Sequence, residues 1–329
     1  MRVFKYRGGD KEILKRDLRS IVDDTLYSAP IDSLNDIFEF KVLIDEESFN
    51  FNLFNNNIEH EFFKNGLIDI LLEYIKVAHG YGVYSLSKSY SDELLWTYYA
   101  NSHQGFCIEY ELDELVAYSL NDEYITDVDY QKSIPTITSV DLLNIKGGDD
   151  NYRSINRKLI ATKSKKWGHE CEVRIVTGTS GLHKYDFRSL KAIYFGHRAK
   201  TSFIKTVMKV LKGREIKYYK MNPQKDSYIL DRVEINDKYS DGFKYRSELA
   251  TVEEGAIYLT ESNEMYNDVL LKAIEIARRE PYSKTITMAD LSVNKGSADN
   301  PVIYVYYLTE DDKGMKLYLS KDEIDKFVL

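Results

Sequence analysis

Cysteine is scarce. Cys107 and Cys171 are the only two in 329 residues. Each falls in the apolar phase of an expected strand, which suits reduced, buried thiols in a cytoplasmic protein and not a disulfide framework. No apolar run reaches the 18 residues that a membrane helix needs, and the opening M-R-V-F-K-Y-R-G-G-D has no signal-peptide apolar core. The six histidines show no H-x-x-x-H pairing and the cysteines no C-x-x-C, so no metal is expected. There is no Gly-rich phosphate loop ending in Lys-Ser or Lys-Thr, no G-x-G-x-x-G and no G-x-S-x-G nucleophile elbow. Repeats and low-complexity tracts are also missing. Any activity must rest on a less familiar constellation.

What is present is a globular composition: 43% apolar, 30% charged, with 27 tyrosines, many of them in expected strands. The net charge of −8 is uneven. Residues 236–329 hold 18 acidic and 12 basic side chains, against 35 and 33 in 1–235. That shift divides the chain into a domain over 1–235 and an added acidic module over 236–329, serving recognition or regulation.

Within the first part lie two basic clusters. Arg153, Arg157, Lys158, Lys163, Lys165 and Lys166 form one; Lys200, Lys205, Lys209, Lys212 and Arg214 form the other. They read either as solvated helix faces or as a surface for a phosphate-bearing partner, protein or nucleic acid.

The patterns predict strands at 2–7, 82–87, 106–111, near 125–130, 190–195, 215–219 and 228–233. Helices are expected at 11–22, 57–78, from Ser89 or Ser91 to the stop at Gly105, at 151–166, and from a cap at Thr201 or Ser202 to about 211. Phe62, Phe63, Leu67, Ile70, Leu71, Tyr74 and Ile75 make the apolar stripe of the helix at 57–78. Beyond 236, A-I-Y-L-T is expected to be a strand, 262–279 a helix, and 302–308 with 315–319 a hairpin; Ser320 and Glu323 form a capping box. The fold class is α+β: a mixed, mostly antiparallel sheet with interspersed helices, plus a smaller C-terminal α+β module.

The centre of the sequence is K-S-K-K-W-G-H-E-C-E-V-R-I-V, Lys163–Val176. Glu170, Glu172 and Arg174 share one strand phase, Cys171, Val173 and Ile175 the other. The charged phase reads as a solvated salt-bridge face or as the wall of a polar cleft.

Several stretches, in order, resemble a bacterial family. They are S-A-P-I-D-S-L-N-D-I-F-E, then Y-S-L-S…L-L-W-T-Y-Y-A-N-S-H-Q-G-F-C-I-E-Y, then K-S-K-K-W-G-H-E-C-E-V-R-I and L-K-A-I-Y-F-G-H-R. The family is known as domain of unknown function 2971, and the likeness spans roughly residues 3–233. Ile37 departs from it, standing where the family usually has proline. The resemblance implies no activity; its company among bacterial defence or toxin-like genes implies such a setting.

A second set, Tyr6-Arg7-Gly8, Ser85-Leu86-Ser87 and Glu170-Cys171-Glu172, resembles the Arg…Ser-Thr-Ser…Glu-x-Glu order of ADP-ribosyltransferases, with Leu86 in place of the middle threonine. That resemblance implies NAD as substrate. Arg7 would hold its pyrophosphate, Ser85 and Ser87 would brace the pocket, Glu172 would stabilise the oxocarbenium-like charge, and Glu170 would activate an acceptor. Tyr99, His103 and Trp167 would offer stacking surfaces. A structural Arg7–Glu172 ion pair, a non-catalytic sensor binding nucleic acid or a phage protein, and a metal-dependent nuclease using Glu170, Glu172 and Lys163–Lys166 stay open. Replacing Glu172 with glutamine is expected to abolish activity with folding intact, as loss of a surface charge.

Overall fold

The computed structural model describes residues 1–50, 57–117, 124–143, 151–212, 214, 216–239, 249–260, 263–280, 283–297, 300–309 and 312–326. The chain divides into two compact units, Met1–Gly242 and Phe243–Leu329.

The first unit is built on ten strands: β1 (Arg2–Arg7), β2 (Thr25–Pro30), β3 (Gly82–Ser87), β4 (Phe106–Glu111), β5 (Tyr124–Asp127), β6 (Glu172–Thr177), β7 (Gly181–Lys184), β8 (Leu190–Phe195), β9 (Lys217–Pro223) and β10 (Leu230–Ile235). They run in the order β7-β2-β3-β1-β4-β8-β9-β10, with β6 on β3 and β5 on β6. Among the described residues of this sheet only β8–β9 is parallel, and two short two-stranded ladders beside it, 43–44 with 136–137 and 129–131 with 162–164, are parallel as well; the fold is α+β, as expected.

Alternation sets two faces. Val3, Tyr84, Ile108, Val173 and Ile193 join one core cluster, while Phe4, Tyr6, Cys107, Ala192 and Tyr194 join another on the opposite side. This is the period-2 pattern of a sheet covered on both faces.

Helix α1 (Lys11–Val22) starts at Asp10, whose side chain accepts from the amides of Glu12 and Ile13, satisfying two donors at the helix start. Helix α2 (Asn57–Ala78) packs Leu67, Leu71, Tyr74 and Ile75 into a third cluster, but Phe62 and Ile70 are exposed. Helix α3 (Glu93–Tyr98) is shorter than expected. Its cap is Asp92, which binds the amides of Leu94 and Leu95; a carboxylate one residue later outcompetes Ser89 and Ser91.

Other boundaries move as well. The helix expected over 151–166 stops at Ile160, followed by a short strand and a 3-10 turn, Lys165–Glu170. Neither Thr201 nor Ser202 caps the next helix, which begins at Thr201 after Lys200.

In the second unit, Leu270, Ala273, Ile274 and Ala277 of a helix over Asn267–Ala277 pack on Ile286, Ile303 and Val305 of a four-stranded sheet. The hairpin of Pro301–Thr309 and Gly314–Ser320 is present. Ser320 and Glu323 form the reciprocal cap. The A-I-Y-L-T segment is not a strand; the long strand Ser283–Gly296 takes its place beside the hairpin.

Candidate functional site: a cleft at a fork in the sheet

One strand shapes the site. On one side, β3 pairs with β6 over its whole length. On the other it is shared: β1 meets it at Phe4↔Ser87 and β2 at Ala29↔Val83 and Pro30↔Gly82. Among the described residues, Tyr84, Ser85 and Leu86 have no ladder partner on that side. The sheet forks there, and a strand carbonyl in a fork needs another donor. Lys5 supplies it, donating from Nζ to the Ser85 carbonyl at 2.6 Å.

A cavity of about 360 Å3 opens at this fork, within the size range of small-molecule sites. From β1 and α1 it is lined by Lys5, Arg7, Arg16 and Asp17. From the opposite wall come Glu39, Ser85, Ser87, Lys163, Glu170 and Glu172. Tyr27, Tyr98 and Tyr99 add aromatic surface. The sequence-derived set Arg7, Ser85, Ser87, Tyr99, Glu170 and Glu172 thus lines one cavity.

His103 and Trp167 do not line it. His103 stacks on Trp96 at a centroid distance of 6.3 Å, and burial followed by Arg198 lowers its pKa. Trp167 lies outside the cavity wall, its ring 5.0 Å from Lys163 Nζ.

The acidic wall is a buried ionic network. Glu39, Lys163, Glu170, Glu172 and Arg174 have side chains only 1% to 6% exposed. The solvated salt-bridge reading is therefore replaced: strand alternation shows that a face is polar, not what covers it. Lys163 Nζ lies 2.6 Å from Glu170, 3.3 Å from Glu172 and 3.4 Å from Glu39. Arg174 donates from Nε to Glu172 at 2.8 Å and from Nη2 to Glu39 at 2.8 Å. A direct Arg7–Glu172 pair is not among the ion pairs of the described residues; Glu172 answers to Arg174 and Lys163 instead.

Burial pushes the Glu172 carboxyl up. Arg174 and Lys163, with hydrogen bonds from Arg174 and Ser85, outweigh that and hold it down to about 2. It is a fixed carboxylate at neutral pH. Glu170 has both oxygens engaged, one by the Tyr99 hydroxyl at 2.6 Å and one by Lys163. Tyr99 also accepts from the Asn35 amide at 3.0 Å. Ser87 is a brace, donating to the Glu170 carbonyl at 2.7 Å.

Cys171 is exposed, with φ of 43°. It lies at the turn before β6 and not in the apolar phase of a strand, so only Cys107 fits the expected buried thiol.

Tyr99 is held by an unusual turn. Asn101, Ser102 and His103 all have positive φ. Gly8, Gly105 and Gly196 close on this turn and its neighbours. A Cβ on Gly8 would collide with the Ala100 backbone, one on Gly105 with the Arg7 carbonyl, and one on Gly196 with the His103 carbonyl. Glycine is required there for close approach.

Sequence reasoning missed Lys5 and Glu39 as cavity residues. Lys5 lies in no quoted motif, and Glu39 closes the stretch S-A-P-I-D-S-L-N-D-I-F-E, whose resemblance assigned it no role. Lys163 was visible as the first residue of the central motif, as a member of a basic cluster and in the nuclease alternative, but not as the partner of Glu39, Glu170 and Glu172. That cluster is partly spent inside the fold, with Lys163 in the network and Lys158 on Asp141 at 2.5 Å. Arg214 of the second cluster pairs with Asp24. Among the described residues no group of three or more His, Cys, Asp or Glu is arranged to hold a metal ion, and no helix is long and apolar enough to cross a membrane.

No curated protein and no solved structure matches the chain. Residues 95–175, which run from α3 through the Lys165–Glu170 turn into β6, match the model of the family described as "Protein of unknown function (DUF2971)", and this match supports the resemblance to that family that the motifs carry.

Proposed function

We propose that the fork is the active site of an NAD-consuming enzyme, an ADP-ribosyltransferase or NAD glycohydrolase. The observation that carries this reading is the convergence of Arg7, Ser85 and Glu172, from three separate strands, on one cavity, with Glu172 ionised and hydrogen-bonded by Ser85.

The chemistry follows from the charges. Arg7 offers a guanidinium fork to the pyrophosphate. The aromatic wall of Tyr98 and Tyr99 flanks the flat ring. Cleavage of the bond between ribose C1′ and the nicotinamide nitrogen leaves positive charge on the ribose, while the electron pair departs with nicotinamide. A carboxylate already fixed at that place stabilises the charge without reorganising. Glu172 accepts from a ribose hydroxyl and supplies that field. Glu170, occupied by Tyr99 and Lys163, first orients the aromatic wall; activating an acceptor requires one of those bonds to open. The acceptor is a protein, a nucleic acid, a small molecule or water. The setting that fits the family's company is a cytoplasmic defence or toxin-like effector, with the acidic second unit recognising a trigger or target.

The test is nicotinamide release from NAD, by the protein alone and with a lysate of phage-infected cells. Wild type is expected to release nicotinamide, Ser85→Ala less, and Glu172→Gln roughly 100-fold less or lower, the scale of losing a fixed electrostatic group. Because Glu172 is buried among cations, the glutamine variant also loses stability; its melting transition must be recorded beside its rate. A folded Glu172→Gln protein with full activity, or a wild type that releases nothing under either condition, sinks the reading.

A further inference from the structure

Lys5 is unexplained by the roles assigned so far. It is a lysine on a central strand, partly covered, lining the cavity two positions before Arg7. Residues i and i+2 of a strand share a face, so Lys5 and Arg7 present two cations side by side along β1. Among the described residues Lys5 Nζ makes one hydrogen bond, to the Ser85 carbonyl. An ammonium has three donors, which leaves two uncommitted. Its charge lies 4.7 Å from the centroid of the Tyr84 ring and has no carboxylate within ion-pair distance among the described residues. The acidic wall, by contrast, contains its own cations. The cleft is therefore polarised, with surplus positive charge on the β1 wall and surplus negative charge on the other.

We propose that Lys5 is a second anion-contacting residue, which together with Arg7 takes the diphosphate of an ADP-ribose-containing ligand. The ligand class rests on the reading of the cleft given above; the role of Lys5 deepens it. The groups that face Lys5 are Arg7 on its own strand, Tyr84 on β3, Asp17 on α1, and Glu170 and Glu172 on the acidic wall. Burial, then Arg7, pulls the Lys5 ammonium from its ordinary 10.5 to about 7, against the opposing pull of Glu172, Asp17 and Glu170. Burial raises Tyr84 above its ordinary value, and Glu172 is held near 2. Above pH 7 the empty cleft thus holds a lysine short of its proton. A bound diphosphate restores the charge, and the proton comes from solvent.

The experiment is calorimetric titration of the full chain with ADP-ribose, whose diphosphate has no proton to exchange near neutrality, in two buffers of different ionisation enthalpy. At pH 8, with a free-state pKa of about 7, binding should take up close to one proton, about 0.9 per ligand. At pH 6 uptake should nearly vanish. Wild-type affinity should fall severalfold per pH unit above 7. Lys5→Met should lose the uptake and bind about tenfold more weakly at pH 6. Lys5→Arg, charged throughout, should bind tightly with neither uptake nor pH dependence, which separates this role from a purely structural bridge to Ser85. Should Lys5→Met fail to fold, the wild type and Lys5→Arg still decide the matter. Wild-type binding without proton uptake overturns the role of Lys5, as does the absence of ADP-ribose binding. Nicotinamide release without proton uptake would leave the enzyme reading standing and remove only Lys5. Binding with uptake but no nicotinamide release would do the reverse.

Discussion

Two arginines in the first unit carry their charge in opposite ways. Arg174 is 1% exposed and pairs with Glu39 and Glu172, two carboxylates that also share Lys163, beside the cleft. Arg232, on the outermost strand β10, is exposed and lies over the rings of Tyr90, Tyr194 and Tyr219 at 4.8–5.8 Å, donating to the Tyr194 hydroxyl. The second arrangement keeps the charge near water and uses ring faces for contact. The first strips five charged groups of water, a costly way to gain stability. Buried charge of this kind, next to a cavity, is what functional sites use to fix protonation states.

This contrast can be broken by measurement. The largest effect should come from Arg174→Met, which leaves Glu39 and Glu172 buried with Lys163 as their only shared cation. A loss of about 3–5 kcal/mol in urea unfolding is expected; a loss under about 1 kcal/mol would mean that water already reaches these carboxylates.

A smaller effect should appear in acid. The folded pKa of Glu172, about 2, lies below its ordinary 4.5. Its contribution to stability is therefore complete above 4.5 and is lost as pH falls through 2. Melting temperature against pH should drop across that window in wild type and drop less in Glu172→Gln. Equal slopes would remove Glu172 as a principal acid-sensitive group.

The smallest effect should be Arg232→Ala. An exposed cation–π contact is worth about 1 kcal/mol or less, so the unfolding midpoint should hardly move. A large shift would erase the distinction between the two arginines.

The sequence made some of this legible and hid the rest for identifiable reasons. Short runs rich in aromatic and β-branched residues located Arg2–Arg7, Phe106–Glu111 and Leu190–Phe195; the sheet they share is covered on both faces, which leaves such strands nearly continuously apolar. The length and spacing of the apolar residues located α2, though not that Phe62 and Ile70 lie outside its packed face. The cap of α3 was misread because Ser89, Ser91 and Asp92 all qualify as caps, and the choice depends on where the strand before them ends. Arg7, Ser85 and Glu172 were legible only through the order of short motifs. Their convergence arises from pairings between distant segments, such as Glu172↔Ser87. Burial of the Glu170–Glu172–Arg174 face was invisible, because its cover includes Glu39 from a segment more than a hundred residues earlier. Lys5 had no signal at all; its bond to the Ser85 carbonyl stands at a missing rung between β1 and β3, which no local pattern records.

The turn after α3 carries a consequence for mutational drift. Tyr99 reaches Glu170 from just before a turn on which Gly8, Gly105 and Gly196 close, three residues that bear no charge, with Gly8 also lining the cavity. A single added methyl at any of them meets main chain, which cannot swing aside as a side chain can. The breadth of the cleft is thus inherited from three bare strand ends. Variation in what the cleft admits must enter through tips such as Tyr27 and Tyr98, where a side chain can change size without moving the frame that holds it.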